Sequence, residues 1–197
     1  TSPTNMGMAL LAHLAAHDFG YLSAARLLQR VDQSLASMAR LERHRRHFYN
    51  WYDTLTLKPL PPFYVSTVDS GNLAGHLLTL RPGLLALVDE PVFALRQFSG
   101  LADSVQVLRD AMLADGQDSR PLLAMQQQLD TLHNTPPPSL LAAHRAMHDL
   151  CALSKTLASQ AFSPLLSDSS FWLQALLEHC SDLHSELARF ILPANPD

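Results

Sequence analysis

The sequence predicts a mainly α chain of helical hairpins, with one short irregular or β-hairpin loop near residues 47–68. Three observations predict it. Apolar residues recur at three- and four-residue spacing through most of the chain. Ser, Asp, Asn, Gly and Pro bracket those stretches as helix starts and stops. The stretch 44–70 lacks the helical period and holds Pro59, Pro61 and Pro62, which forbid a regular helix.

The first helix is expected to run from a cap at Thr4 or Asn5 to about Asp18, with Met8, Leu11, Ala12 and Ala15 on one face. Gly20 ends it in a left-handed conformation. Ser23 caps a second helix, whose apolar face (Leu27, Leu28, Val31, Leu35, Met38, Leu41) continues to Arg43. A short loop between the two makes an antiparallel hairpin. Phe48–Tyr52 and Tyr64–Val68 are candidate strands, with Asp53–Lys58 as the turn. Ser70 or Asp69 caps a third helix, Gly71–Leu80, and Pro82-Gly83 interrupts the pattern. Further helices are expected at about Leu84–Val88, Pro91–Leu113, Ser119–His133, Ser139–Ser159 and Asp168–Leu192, the last capped by Asp168. Pro91 suits a first helical turn.

Composition narrows the function. At 197 residues and 47% hydrophobic, the chain suits one globular domain or a large piece of one. A net charge of −4 disfavours nucleic-acid binding through a broad basic surface. Two cysteines, Cys151 and Cys180, make no disulfide framework. No apolar run approaches the roughly 20 residues that span a bilayer. The start TSPTNMG lacks an initiator Met and signal features, which suits a piece of a longer protein. Residues 48–64 hold six of the fourteen aromatics: Phe48, Tyr49, Trp51, Tyr52, Phe63 and Tyr64. The chain therefore divides into a motif-bearing part, 1–83, and a plain helical remainder, 84–197.

Two segments carry candidate chemistry. In His47–Thr54, aromatic rings alternate with Asn50 and Asp53. Rings stack on sugar faces and Asn or Asp bond hydroxyls, so the segment suits a carbohydrate cleft. It equally suits a loop whose rings plug the core. In Ser66–Asn72, Asp69 feeds a Gly-Asn pair, either a hydroxyl-binding turn or an ordinary helix cap. Asp53 and Asp69 are the candidate catalytic carboxylates, since glycoside chemistry uses two. His13/His17 and His144/His148 sit four apart, but no Glu completes a zinc-protease motif, and no metal is expected. The run Arg43–His47 reads as cations ending the second helix. There is no serine-hydrolase elbow, P-loop or dinucleotide fingerprint, and no cofactor is expected.

The strings Thr4–Gly7, Ala16–Tyr21, Leu41–His44, His47–Thr54 (HFYNWYDT) and Tyr64–His76 (YVSTVDSGNLAGH) resemble the glucoamylase-like domain of cyclic β-1,2-glucan synthases. The likeness runs in order over residues 1 to about 80. It implies an origin in a very large membrane-embedded synthase that joins a glycosyltransferase, this domain and a phosphorylase-like region. It implies helical hairpins of an (α/α)6 toroid on the cytoplasmic side of the inner membrane, acting in cyclisation by transglycosylation. Tyr49, Asn50, Trp51, Tyr52, Asp53, Asp69 and Asn72 would then line a β-1,2-glucan cleft. An acidic segment resembling YDLLASEAR, present in the family, does not occur here. The chain thus resembles the opening portion of the domain, with the catalytic carboxylates unassigned beyond Asp53 and Asp69. The remaining synthase domains are the implied partners. Self-association through exposed apolar faces is the other expected contact. A non-catalytic helical scaffold is the alternative reading.

Overall fold

Ser2 precedes Pro3, and a proline at the first helical position has no amide to leave unpaired. α1 (Pro3–Asp18) begins there. The Ser2 hydroxyl accepts from Asn5 N at 3.4 Å. The start thus lies one turn-edge earlier than a cap at Thr4 or Asn5. The computed structural model describes residues 1–160 and 167–191. It is mainly helical, as expected, with seven α-helices among the described residues.

The chain folds as two compact units. The first holds residues 1–17 and 24–90: most of α1, α2 (Ala24–Ala39), β1 (Arg43–His44), β2 (His47–Phe48) and α3 (Thr67–Ala86). Its core joins Met6 and Leu10 of α1, Leu27, Val31 and Met38 of α2, Leu73 and Leu80 of α3, and Tyr52 from the loop. α2 stops four residues earlier than its apolar pattern predicts. Arg40 N and Leu41 N close tight turns onto Ser37 O and Met38 O. The chain then enters an antiparallel hairpin pairing Arg43 with Phe48 and His44 with His47. The basic run therefore lies on a hairpin and not on a helix end. Arg45 and Arg46 form its tip with φ of 49° and 76°. Left-handed conformations cost a non-glycine residue roughly 1–2 kcal/mol.

The expected strands at Phe48–Tyr52 and Tyr64–Val68 do not form. Phe48 pairs in β2, Tyr52 makes one bridge to Pro59, and the Tyr64 carbonyl accepts from Asn50 N at 2.9 Å without a ladder forming. The Asp53–Lys58 turn is present, closed by Asp53 N donating to Lys58 O at 2.9 Å. α3 starts four residues before its expected beginning because Ser66, not Ser70 or Asp69, is the cap. It also runs through Pro82 to Ala86. The carbonyl that Pro82 leaves without its helical donor belongs to Leu78, an exposed residue. Gly83 lets Leu14 pack close, since a Cβ there would stand 2.3 Å from Leu14 Cδ2. The separate helix expected at Leu84–Val88 is thus the end of α3 followed by a 3-10 turn, Leu87–Asp89.

The second unit holds residues 18–23 and the described residues from Pro91 onward. α4 (Arg96–Ala114) starts five residues after Pro91, which lies outside the helix. A 3-10 turn (Arg120–Leu122) leads into α5 (Leu123–Asn134), then α6 (Leu140–Gln160) and α7 (Asp168–Phe190). Ser167, rather than Asp168, caps α7 and accepts from Ser170 N at 3.3 Å. The expected end at Leu192 falls outside the described residues. Leu101, Val105 and Leu108 of α4, Met147 and Leu150 of α6, and Leu176, Leu183 and Leu187 of α7 recur at three and four and form its core. Among the described residues, no helix is long and apolar enough to cross a membrane.

Gly20 has φ +81°, the left-handed conformation expected of it. Its carbonyl lies against Gly100, where a Cβ would stand 2.3 Å away, so α4 must carry glycine there. That carbonyl also accepts from buried His179 Nε2 at 3.0 Å, while Nδ1 lies 3.4 Å from Ser104 Oγ. Burial pushes the imidazole down from 6.5 to about 4, against the opposing pull of the Gly20 bond. The folded state therefore holds His179 neutral where the unfolded chain is protonated. Its stabilisation is complete above pH 6.5 and is lost as pH falls from 6.5 toward 4. Between pH 7 and pH 5, His179 should remove about 2 kcal/mol of stability. Denaturant unfolding at both pH values should show a correspondingly flatter dependence in His179→Gln.

Candidate functional site

The two motif segments meet through one amide. Asn50 is buried, and its amide orientation follows from its neighbours. With its nitrogen toward Asp69, Nδ2 donates to Asp69 Oδ2 at 2.8 Å. Oδ1 then accepts from the Tyr64 hydroxyl at 2.7 Å and from Trp51 Nε1 at 3.0 Å. The rings of Trp51 (43% exposed) and Tyr64 (44% exposed) are thereby anchored at their polar ends, with their bodies open to solvent.

Asp69 sits in the first turn of α3. The Thr4 hydroxyl, the Ser66 and Ser2 hydroxyls and the Thr4 amide bond its carboxylate and hold it below the usual carboxylate range, against partial burial. One carboxylate thus faces the starts of α1 and α3, where helix dipoles favour a negative charge. Asn72 joins the same cluster, donating from Nδ2 to Thr4 Oγ1 at 3.1 Å.

Tyr52 lies 1% exposed in the core of the first unit. Its hydroxyl donates to Glu42 O at 2.7 Å and accepts from Tyr49 N at 2.8 Å. Thr1 N donates to Tyr52 O at 2.6 Å, and Tyr52 N to Thr1 O at 2.9 Å. The structure gives it no open ring face. Tyr49 is half-buried and packs between His44 (6.2 Å between ring centres) and Phe63 (5.7 Å). Asp53 is a turn residue. Its Oδ1 accepts from Thr56 N (2.6 Å), Leu55 N (2.9 Å) and Thr56 Oγ1 (3.0 Å). These Thr56 and Leu55 donors hold its carboxyl below the usual range.

The structure thus brings Asn50, Trp51, Asp69 and Asn72 into one network with Tyr64, Thr4, Ser2 and Ser66. Asp53 belongs to a separate turn. Ser2 and Ser66 were legible but unread: Ser2-Pro3 is a helix-start signature, and Ser66-x-x-Asp69 has the form of a capping box. Tyr64 carries no spacing signal of its own.

The first unit has cavities away from this network. One, about 280 Å³, runs from Thr1, Met6 and Met38 to Tyr52, Thr54 and Leu57. Another, about 570 Å³, is an open polar groove lined by His13, Arg26, Arg30, Gln29 and Gln33, touched by none of the candidate site residues. Among the described residues, no group of three His, Cys, Asp or Glu is placed to hold a metal. His144 and His148 do share a face, but His144 stacks on His184 with ring centres 4.6 Å apart. Buried His17 instead lies 3.3 Å from Glu90 Oε2.

No protein-family model matches the chain. The chain is similar to cyclic beta-(1,2)-glucan synthase NdvB of Rhizobium meliloti (strain 1021), 37% identical over 113 residues, or 57% of the chain. It spans 4% of that relative's length. Over this stretch the chain is related to that synthase.

The Asn50 network makes a stability prediction. Asn50→Ala should cost about 2 kcal/mol, because it unpairs three groups at once. Asn50→Asp should cost more at pH 7, since it sets a second carboxylate against Asp69. It should regain part of the loss toward pH 4 as one of the pair protonates. Thermal unfolding of both variants across pH checks the order.

Proposed function

We propose that the chain is a piece of a cyclic β-1,2-glucan synthase and contributes a glucan-binding surface to its cyclising, transglycosylating domain. The observation that carries the reading is the pairing of this relationship with the Asn50 network, which holds two aromatic rings outward beside polar side chains. In this reading Trp51 stacks on a glucosyl face, with Tyr64 beside it. Asn72 and Asp69 bond hydroxyls, and Tyr49 backs the surface. Asn50 and Tyr52 position the rings from beneath, and Asp53 shapes the neighbouring turn. The helical hairpins would form part of an (α/α)6 toroid completed by the rest of the synthase. β-1,2-Glucan and the remaining synthase domains would be its partners.

Transglycosylation needs one carboxylic acid that protonates the glycosidic oxygen and a second carboxylate that forms or stabilises the glycosyl intermediate. Asp53 and Asp69 are both held ionised by their donors. Neither suits the proton-donating role, so in this reading the acid is a group other than these two.

A scaffold role has its own support. α3 exposes Val68 (70%) and Leu78 (74%), with Gly71 and Gly75 open on the same helix. Such a surface fits contact with another part of a larger protein.

Calorimetric titration with β-1,2-glucooligosaccharides separates the two. The glucan reading expects binding that Trp51→Ala weakens about tenfold, ~1.4 kcal/mol for one stacked ring. No binding, or binding untouched by Trp51→Ala, leaves the scaffold. The 197 residues alone should neither cyclise nor hydrolyse linear β-1,2-glucan, which product chromatography checks.

A further inference from the structure

Residues 40–47 hold Arg40, Arg43, Arg45 and Arg46, with His44, His47 and a single acid, Glu42. All of these side chains are exposed. The concentration runs against the chain's net charge of −4. Its centre is also conformationally unusual. Arg45 and Arg46 occupy a two-residue hairpin tip with φ of 49° and 76°, positions that Asn-Gly or Gly fill without strain. Strain kept at an exposed site points to a role for the side chains themselves.

The hairpin adjoins an exposed aromatic wedge. The Arg43 guanidinium lies 4.2 Å over the Phe48 ring. His44 packs on Tyr49, and Tyr49 on Phe63, which is 62% exposed; Leu60 and Tyr64, near it in sequence, are exposed too. Arginines beside exposed aromatic and aliphatic side chains are the composition of a bilayer interface, where guanidinium groups meet phosphates and rings enter the headgroup layer. Charges spread along eight residues of an exposed hairpin suit a surface of many headgroups better than one enclosed anion.

We propose that the Arg43–Phe48 hairpin, with Phe63 beside it, docks the first unit onto an anionic lipid surface. The docking needs no sugar, so it stands or falls separately from the glucan reading.

Vesicle sedimentation of the 197-residue chain tests it, with phosphatidylcholine vesicles that contain or lack phosphatidylglycerol. Binding should require phosphatidylglycerol and weaken with salt. Arg45→Gln with Arg46→Gln should cut partitioning roughly 30-fold, about fivefold per arginine. Arg46→Gly should cut it about fivefold while leaving the thermal midpoint equal or higher, because glycine relieves the strained φ. That second variant separates lost docking from lost folding. Equal binding to pure phosphatidylcholine, or full binding by the double variant, would overturn the proposal. So would displacement by soluble glycerol phosphate at concentrations matching the vesicle phosphate, which would assign the tip to a free anion.

Discussion

The Asp69 carboxylate takes hydrogen bonds from stretches far apart in the sequence: Ser2 and Thr4 at the start of α1, Ser66 before α3, and Asn50 from the loop. A charge so placed sits at the positive ends of two helices, where unpaired backbone amides would otherwise face one another. Removing it would expose donors on both helices at once. The outward rings depend on it indirectly, because Asn50 can present its oxygen to Trp51 and Tyr64 only while its nitrogen has an acceptor. The most polar spot in the first unit is thus also what orders its aromatic face.

The core of the second unit is built differently. Its helices interdigitate leucine and methionine at helical spacing, and backbone meets backbone closely at Gly20 and Gly100. Side chains there would collide, so the close approach selects residue size rather than polarity. His179 completes it by donating to the Gly20 carbonyl, a neutral ring where burial forbids a charged one.

How much of this was legible depended on range. Helical periodicity is a local signal, and it placed all the long helices. Helix ends answer to caps a few residues away, and there Ser2, Ser66 and Ser167 won over the neighbours that composition favoured. The run through Pro82 was hidden, because an interior proline usually breaks a helix, and the exposure of Leu78, whose carbonyl it frees, is not a local signal. The basic run looked like a helix end because cations suit one. Only the two positive φ values at Arg45 and Arg46 place it on a turn, and nothing in the residue types announces them. The aromatic segment posed a choice between cleft and core, and the structure divides it residue by residue. Tyr52 is core, Trp51 is surface, and Asn50 links the surface ring to a carboxylate nineteen residues on, a distance that no spacing rule spans.

That division bears on the chemistry. A carboxylate that serves as general acid must stay protonated near neutral pH, which calls for an apolar setting or a like charge nearby. Asp53 and Asp69 have the opposite surroundings: short bonds from hydroxyls and amides that favour the ion. Their environments therefore match roles in shaping and binding. Under the proposed reading, such a site gains a rigid, preorganised face for a polar ligand, since the rings lose little freedom on binding when their polar ends are already tied. The same ties leave neither Asp53 nor Asp69 as a proton donor. Under the proposed glucan reading, these two carboxylates belong to the binding face, and the proton donor is a different group.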